Sequence, residues 1–299
     1  MAFKTEFVPG DNDLRDLTFR PADPTDARTL SREQVETFNR DGFVSRLPAF
    51  SADEILDLKH YVDDLIERVV SAPDRRNSYS VTSYHLVCER LYDLMLTPLF
   101  LDYAEDLIGP DIVCWGMHLF AKMPGDGMEV PLHQDARYWP LTPAKSVTVW
   151  LAIDDADEEN AAMEFTPGSH ALGALPHEEK ALDGSRVLKH AVVDPESYGP
   201  RYVNTLQAGQ VSLHSDLLLH GSRANLSTRR RSGLTIRYTA AEVAPLPGEE
   251  WYISPTVHCR GTIPDRWPNC ARPVGEHPEF MAGITGDFDG NPPEGGDAG

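Results

Sequence analysis

Leu132-His133-Gln134-Asp135-Ala136-Arg137-Tyr138-Trp139-Pro140-Leu141 is the stretch on which the fold and chemistry of this chain turn. On a strand, side chains two residues apart share one face, so His133 and Asp135 can reach one ion together. A third ligand must then come from elsewhere. Two histidines lie further along in one apolar stretch, His214 and His220. Two histidines and a carboxylate form the facial set of a mononuclear non-haem Fe(II) centre, with positions left open for other ligands. A closed zinc site would need more sulfur or histidine.

The residues downstream of each histidine separate the two candidates. After His220 come Gly221-Ser222, Asn225 and, eleven residues on, Arg231, and nothing comparable comes after His214. A guanidinium fork at that place can hold a dicarboxylate through two hydrogen bonds. Together these residues suggest an Fe(II)- and 2-oxoglutarate-dependent dioxygenase.

The flanking sequence suggests how the ligands are carried. Ser31-Arg32-Glu33-Gln34 and Ser51-Ala52-Asp53-Glu54 are capping boxes that open helices. The first has Val35 and Phe38 at helical spacing and ends at Asp41-Gly42; Phe43-Val44 is then extended. The second places Ile55, Leu58, Val62, Leu65 and Val69 on one face. A third helix is expected from about Arg90 to Leu107, with Leu91, Leu94, Leu99 and Leu101, stopped by Gly109-Pro110. From residue 111 the texture becomes β-prone, with strands expected over Asp111–Lys122, Ser146–Ile153, Val211–His220 and Gly233–Ala240. In Ser146–Ile153, Val147, Val149 and Leu151 alternate with Ser146, Thr148 and Trp150. Helices first and strands afterwards predict a mainly β fold with supporting helices, a cupin-like jelly roll that brings distant strands to one mouth.

The expected organisation is an extended arm over residues 1–28 and a single dioxygenase domain over 29–282. The domain comprises a helical part (29–110), a jelly-roll core (111–245) and a C-terminal extension (246–282). Residues 283–299, rich in Gly, Pro and acid, read as a disordered tail.

Composition excludes several classes. The chain has 299 residues, 41% hydrophobic and 25% charged, which suits a packed core. With 47 acidic and 27 basic residues the net charge is −20, which argues against nucleic acid and gives weak support to a small, amine-bearing substrate. No apolar run approaches the length of a membrane span, and the start Met1-Ala2-Phe3-Lys4 does not read as a secretory signal, so a cytoplasmic location is expected. Cys88, Cys114, Cys259 and Cys270 show no CxxC pairing and read as free thiols; His258-Cys259 with Cys270 lacks an evident fourth metal ligand.

Several motifs in order resemble the phytanoyl-CoA dioxygenase family. They are His133-Gln134-Asp135 with Tyr138-Trp139-Pro140, then Trp150-Leu151-Ala152-Ile153-Asp154-Asp155-Ala156, Asn160, Pro167-Gly168-Ser169-His170, and His220-Gly221-Ser222 with Asn225 and Arg231. Phe38, Asp41-Gly42 and Phe43-Val44 match the family's opening segment, and the resemblance covers about residues 30–240. One departure is Ala161-Ala162 after Asn160, where the family often has glycine. The resemblance implies a double-stranded β-helix with Fe(II) held by His133, Asp135 and His220. It implies that Arg231 clamps the distal carboxylate of 2-oxoglutarate, with Ser222 and Thr148 as candidate hydrogen-bond partners. Trp139 is a candidate wall of the iron pocket, and Gln134, Arg137 and Tyr138 are candidate substrate contacts. Pro167–His170 reads as a turn with a structural histidine.

The implied reaction uses O2 and 2-oxoglutarate, releases succinate and CO2, and hydroxylates an unactivated C–H bond; ascorbate would serve as reductant in assays. Related halogenases replace the carboxylate by a small residue, so Asp135 predicts hydroxylation. A non-catalytic or differently catalytic cupin-like metal protein is the alternative, and it would have no use for Arg231.

Overall fold

The computed structural model describes residues 15–73, 76–79, 81–180, 184–248 and 256–281. Among these the helices are α1 (Arg32–Asp41), α2 (Ala52–Val70), α3 (Glu89–Met95) and α4 (Pro98–Ile108). The strands are β1 (Phe43–Pro48), β2 (Ile112–Lys122), β3 (Val130–His133), β4 (Leu141–Thr142), β5 (Ser146–Ala152), β6 (Glu164–Phe165) and β7 (His177–Glu179). They continue with β8 (His190–Val192), β9 (Tyr202–Val203), β10 (Gln210–Ser215), β11 (His220–Ser222), β12 (Arg231–Ala240), β13 (Ala244–Pro245) and β14 (Val257–Arg260).

Both capping boxes form as the sequence predicts. Ser31 and Ser51 each accept from the N3 backbone, and the Gln34 and Glu54 side chains reach back to the caps. The helix expected over Arg90–Leu107 is two helices instead. Pro98 has no N–H to donate and restricts Thr97, so α3 ends and α4 restarts with Pro98 in its first turn.

Six strands form one antiparallel sheet in the order β1-β10-β5-β12-β2-β14, and four form a second in the order β3-β11-β6-β9. The sheets face each other: the His214 ring of β10 lies 4.8 Å from His220 of β11 and 5.5 Å from Phe165 of β6. This is a double-stranded β-helix, a mainly β fold with supporting helices. Val147, Val149 and Leu151 of β5 and Leu234, Ile236 and Tyr238 of β12 point outward into one core with Val62, Leu65, Phe100 and Leu107 of the helices. Burial stabilises each such side chain by about 1.5–3 kcal/mol. All seven residues of β5 are buried, so its alternation separates two buried faces, one against the helices and one in the lumen between the sheets.

The strand expected over Val211–His220 is also two elements. Asp216–Leu219 turns the chain from the large sheet into the small one, with the Leu218 N–H donating to the Ser215 carbonyl at 3.0 Å. Leu217, Leu218 and Leu219 enter three different apolar clusters, so this corner is as hydrophobic as a strand.

The described part of the N-terminal arm is stitched to the loop after His133. Arg15 is buried and donates to the Ala136 and Trp139 carbonyls at 2.6 and 2.7 Å. In the C-terminal extension, β14 pairs with β2 and completes the edge of the large sheet. The tail expected over 283–299 lies outside the described residues.

Candidate active site

His133 ends β3 and is paired in register with His220 of β11, so the two rings sit 4.3 Å apart across neighbouring strands. Asp135 is not on the strand: it opens a 3-10 turn, Asp135–Arg137. Gln134 is extended (φ −110°, ψ 131°), which preserves the two-residue alternation and puts Asp135 on the same side as His133. One donor atom from each of His133, Asp135 and His220 lies within 4.8 Å of the others, and all three residues are buried.

The ring orientations are fixed from behind. Nδ1 of His133 lies 2.8 Å from the Pro131 carbonyl and Nδ1 of His220 lies 2.9 Å from the Leu218 carbonyl. A carbonyl only accepts, so each Nδ1 carries the proton and each Nε2 offers a lone pair inward. Nε2 of His133 and of His220 are 3.7 and 4.0 Å from Asp135 Oδ1. Burial, reinforced by His133, pushes His220 down to about 3, so it is neutral at physiological pH. Burial alone would raise Asp135, but His133, His214 and the positive charge of Arg237 outweigh it and hold the carboxyl well below its usual range. His220 and Asp135 are therefore ready for a divalent cation without a proton having to leave.

His214 is in the site, one layer behind. Its Nε2 is 3.8 Å from Asp135 Oδ2, the oxygen facing away from the other two histidines, and neither ring nitrogen has a hydrogen-bond partner. Thr148, opposite His214 in the register of β5 and β10, directs its hydroxyl to the same Oδ2 at 3.4 Å.

Arg231 begins β12 and is 2% exposed. Its Nε donates to the Ala161 carbonyl at 3.1 Å, an Nη donates to the Ser222 hydroxyl at 3.2 Å, and its guanidinium lies 5.7 Å from the Trp150 ring. Among the described residues no carboxylate makes an ion pair with it. Lys122, also buried, is its register partner on β2, so two basic side chains lie together at one end of the lumen. Burial, aided by Arg231, pushes the Lys122 ammonium down to about 7.

Against this geometry, the model of the family described as phytanoyl-CoA dioxygenase matches residues 38–233. The chain belongs to the PhyH family. Among its relatives, the peroxisomal phytanoyl-CoA dioxygenase of Rattus norvegicus is 24% identical over 286 residues, covering 88% of this chain and 80% of the rat protein. A probable alpha-ketoglutarate-dependent hypophosphite dioxygenase of Stutzerimonas stutzeri is 26% identical, covering 72% and 81%. The solved apo structure of the non-heme monooxygenase ThoJ superposes with a TM-score of 0.68 at 27% identity, covering 84% of this chain and 94% of that one. Other solved proteins of the fold carry bound iron or 2-oxoglutarate. Iron and 2-oxoglutarate are thus the cofactor and co-substrate of the oxygenases this PhyH chain is related to, and the His133–Asp135–His220 donor set fits such a metal.

The remaining sequence candidates separate. Gln134 faces away from the donors and its amide is fully used: it donates to the Gly173 and Leu217 carbonyls at 2.9 and 2.6 Å and accepts from Leu175 N–H at 2.7 Å. It clamps loops, because an extended residue between two inward ones must point outward. Arg137 lies with Arg15, Gln134 and His177 around a small gap on that outer side. Tyr138 packs edge-on to His133 at 5.7 Å and donates to the His190 carbonyl. Trp139 is buried against Trp115, with ring centroids 4.7 Å apart. His170 is structural: it packs edge-on to Phe19 at 4.3 Å, beneath Gly42. His258 is held by the Trp267 carbonyl, and all four cysteines are free thiols.

Two residues of the site, Gly233 and Arg237, were not singled out by sequence, and Ala161 was marked only as a departure from the family pattern. Gly233 lets the Trp150 ring lie against β12, since a Cβ there would sit 2.0 Å from that ring. Ala161 occupies the family's usual glycine place and has φ +65°, in the left-handed region; its carbonyl is the one bound by Arg231. Arg237, six residues after Arg231, carries no recognisable motif.

Proposed function

We propose that this chain is an Fe(II)- and 2-oxoglutarate-dependent dioxygenase that hydroxylates an unactivated C–H bond of a small metabolite or natural product, with release of succinate and CO2. His133, Asp135 and His220 would hold the metal, and Arg231 with Ser222 would hold the distal carboxylate of 2-oxoglutarate. The observation that carries this reading is Arg231: a buried guanidinium without a counter-ion, in the same lumen as a three-donor cluster. An unpaired buried charge is costly and calls for an anion. Bound iron, with O2 and 2-oxoglutarate, would supply the oxidising power that side chains lack.

The chain's own residues do the positioning. The Pro131 and Leu218 carbonyls fix the two imidazoles. Thr148 and His214 flank the outer oxygen of Asp135 and steady it. Lys122 adds positive potential at the Arg231 end, and Trp150 and Phe165 keep that end dry. Thr148 touches Asp135, so within this reading it orients the carboxylate, and Ser222 is the hydroxyl beside Arg231. The presence of Asp135 supports hydroxylation over halogenation, because a carboxylate fills the place a halide would need.

The acidic balance of the chain favoured an amine-bearing substrate. The inner face of the large sheet argues otherwise, since Lys122, Arg231 and Arg237 all lie along it. Among the described residues no helix is long and apolar enough to cross a membrane. A cytoplasmic location belongs to the same proposal and is supported by four unpaired cysteines. The cupin-like alternative without this chemistry leaves Arg231 unexplained. The test is 2-oxoglutarate binding and succinate release with Fe(II) and ascorbate across a broad metabolite panel. Absence of both would rule the reading out.

A further inference from the structure

The inner face of β12 carries a second arginine. Residues two apart on a strand share a face, so Arg231, Gly233, Thr235 and Arg237 all point into the lumen. At the rise of a strand, Arg231 and Arg237 are roughly 20 Å apart along it. Arg231 stands level with Ser222, and Arg237 is the register partner of Thr148, whose hydroxyl approaches Asp135. The donor cluster therefore lies towards the Arg237 end of this face, with Asp135 beside Thr148 and His220 two residues before Ser222.

Arg237 is half-buried and lies over two indoles, 5.5 Å from Trp115 and 5.6 Å from Trp139. Those rings pack edge to face and form a rigid floor. Stacking engages the flat face of a guanidinium and leaves its in-plane N–H groups free for an oxyanion. Nε of Arg237 is buried without a hydrogen-bond partner, and among the described residues no carboxylate forms an ion pair with it. A donor left unpaired this way costs stability unless a ligand takes it up. His118, on the inner face of the neighbouring strand β2, is stacked on Phe120 and bound to the Tyr79 carbonyl, and an imidazole, neutral or cationic, is no counter-ion for a guanidinium.

We propose that Arg237, on its Trp115–Trp139 floor, anchors an anionic group of the substrate at the end of the lumen opposite Arg231. The group is an oxyacid: a carboxylate, phosphonate or sulfonate. The substrate then carries its anion at one end and presents a C–H bond towards the His133–Asp135–His220 cluster. This assignment rests on the dioxygenase reading and specifies the substrate class for the same site.

The test uses the full chain loaded with Mn(II), which replaces iron without turnover, and saturated with 2-oxoglutarate so that Arg231 is occupied. Failure of 2-oxoglutarate to bind at this first stage would count against the dioxygenase reading itself. Hexanoate, hexylphosphonate and hexanesulfonate are then titrated against hexanamide, with tryptophan fluorescence as the readout because the anion lands beside Trp115 and Trp139. At least one anion should bind about tenfold or more tighter than the amide, the effect of a charge-assisted hydrogen bond. Arg237→Gln should abolish that preference with 2-oxoglutarate affinity unchanged, and Arg237→Lys should keep part of it. Equal binding of hexanamide, no response to any of the three anions, or an undiminished preference in Arg237→Gln would overturn the assignment. The anion-to-amide comparison in the parent protein needs no variant, so a folding defect cannot hide the result.

Discussion

Replacing Arg231 by methionine should separate ligand binding from stability. Burial pushes the Arg231 guanidinium down to about 10. A displacement of that size corresponds to a cost of roughly 3 kcal/mol for holding the charge buried. Methionine removes that cost, fills similar volume, and forfeits two neutral-acceptor hydrogen bonds, to Ala161 and Ser222, at about 1 kcal/mol each. The terms nearly cancel, so the ligand-free variant should melt within a few degrees of the parent. The co-substrate behaves differently. Removing one partner of a buried, hydrogen-bonded charge pair costs about 2–5 kcal/mol, a loss of roughly thirtyfold to several thousandfold in 2-oxoglutarate affinity. In the parent, 2-oxoglutarate at a hundred times its Kd adds about 2.7 kcal/mol, or roughly 5–10 °C of melting temperature for a domain of this size. Thermal melts with and without 2-oxoglutarate, in Mn(II), read both quantities at once. A variant that melts much earlier without ligand yet keeps the full ligand-induced shift would refute the reasoning, and would make Arg231 a structural arginine.

Two further outcomes are expected. His133→Ala and His220→Ala should each abolish tight metal binding by calorimetry, while His214→Ala, acting only through Asp135, should weaken it by about 10- to 100-fold; metal retained in His220→Ala but lost in His214→Ala would show the third donor to be misassigned. Burial pushes Asp216 up to about 7, with the charge of Asp135 adding to the effect. A carboxyl raised in the folded state contributes stability that is whole below about pH 4 and is lost as pH rises through about 7. Asp216→Asn should therefore raise the melting temperature relative to the parent at pH 8, by at most about 4 kcal/mol in stability, and leave it little changed at pH 4; a larger gain at pH 4 would contradict this sign.

What could be read from the sequence depended on whether a signal was local. The caps at Ser31 and Ser51 are local chemistry, and both helices begin where the sequence places them. The pairing of His133 with Asp135 survived even though Asp135 had left the strand, because extended backbone at Gln134 is all the alternation requires. The break at Thr97-Pro98 was equally local, yet leucines on both sides masked it. At Asp216–Leu219 the apolar pattern misleads for a physical reason: a corner between two sheets buries each leucine in a different direction, so it looks like continuous strand. That corner carries His214 and His220 into different sheets, and their separate environments, which the spacing of six residues does not reveal, decide that one ring offers a backed lone pair to the cluster while the other lies against the outer oxygen of Asp135.

The inner face of β12 shows why the rest was hidden. Four of its inward positions have separate tasks: Arg231 brings a charge, Gly233 makes room for Trp150, Thr235 ties its hydroxyl to the His118 carbonyl, and Arg237 rests on two indoles. In sequence they alternate with Ser232, Leu234, Ile236 and Tyr238, which all lie buried on the opposite face. A strand buried on both sides gives no polar stripe that marks solvent, so polarity at alternate positions can mean a lumen as well as water. Only the facing sheet distinguishes the two. Here it supplies Ser222 beside Arg231 and, through the turn after β3, Asp135 near Thr148. Two arginines on one lumen face, with a three-donor cluster on the facing sheet, suit two anionic ligands that meet at the cluster, one held by each arginine.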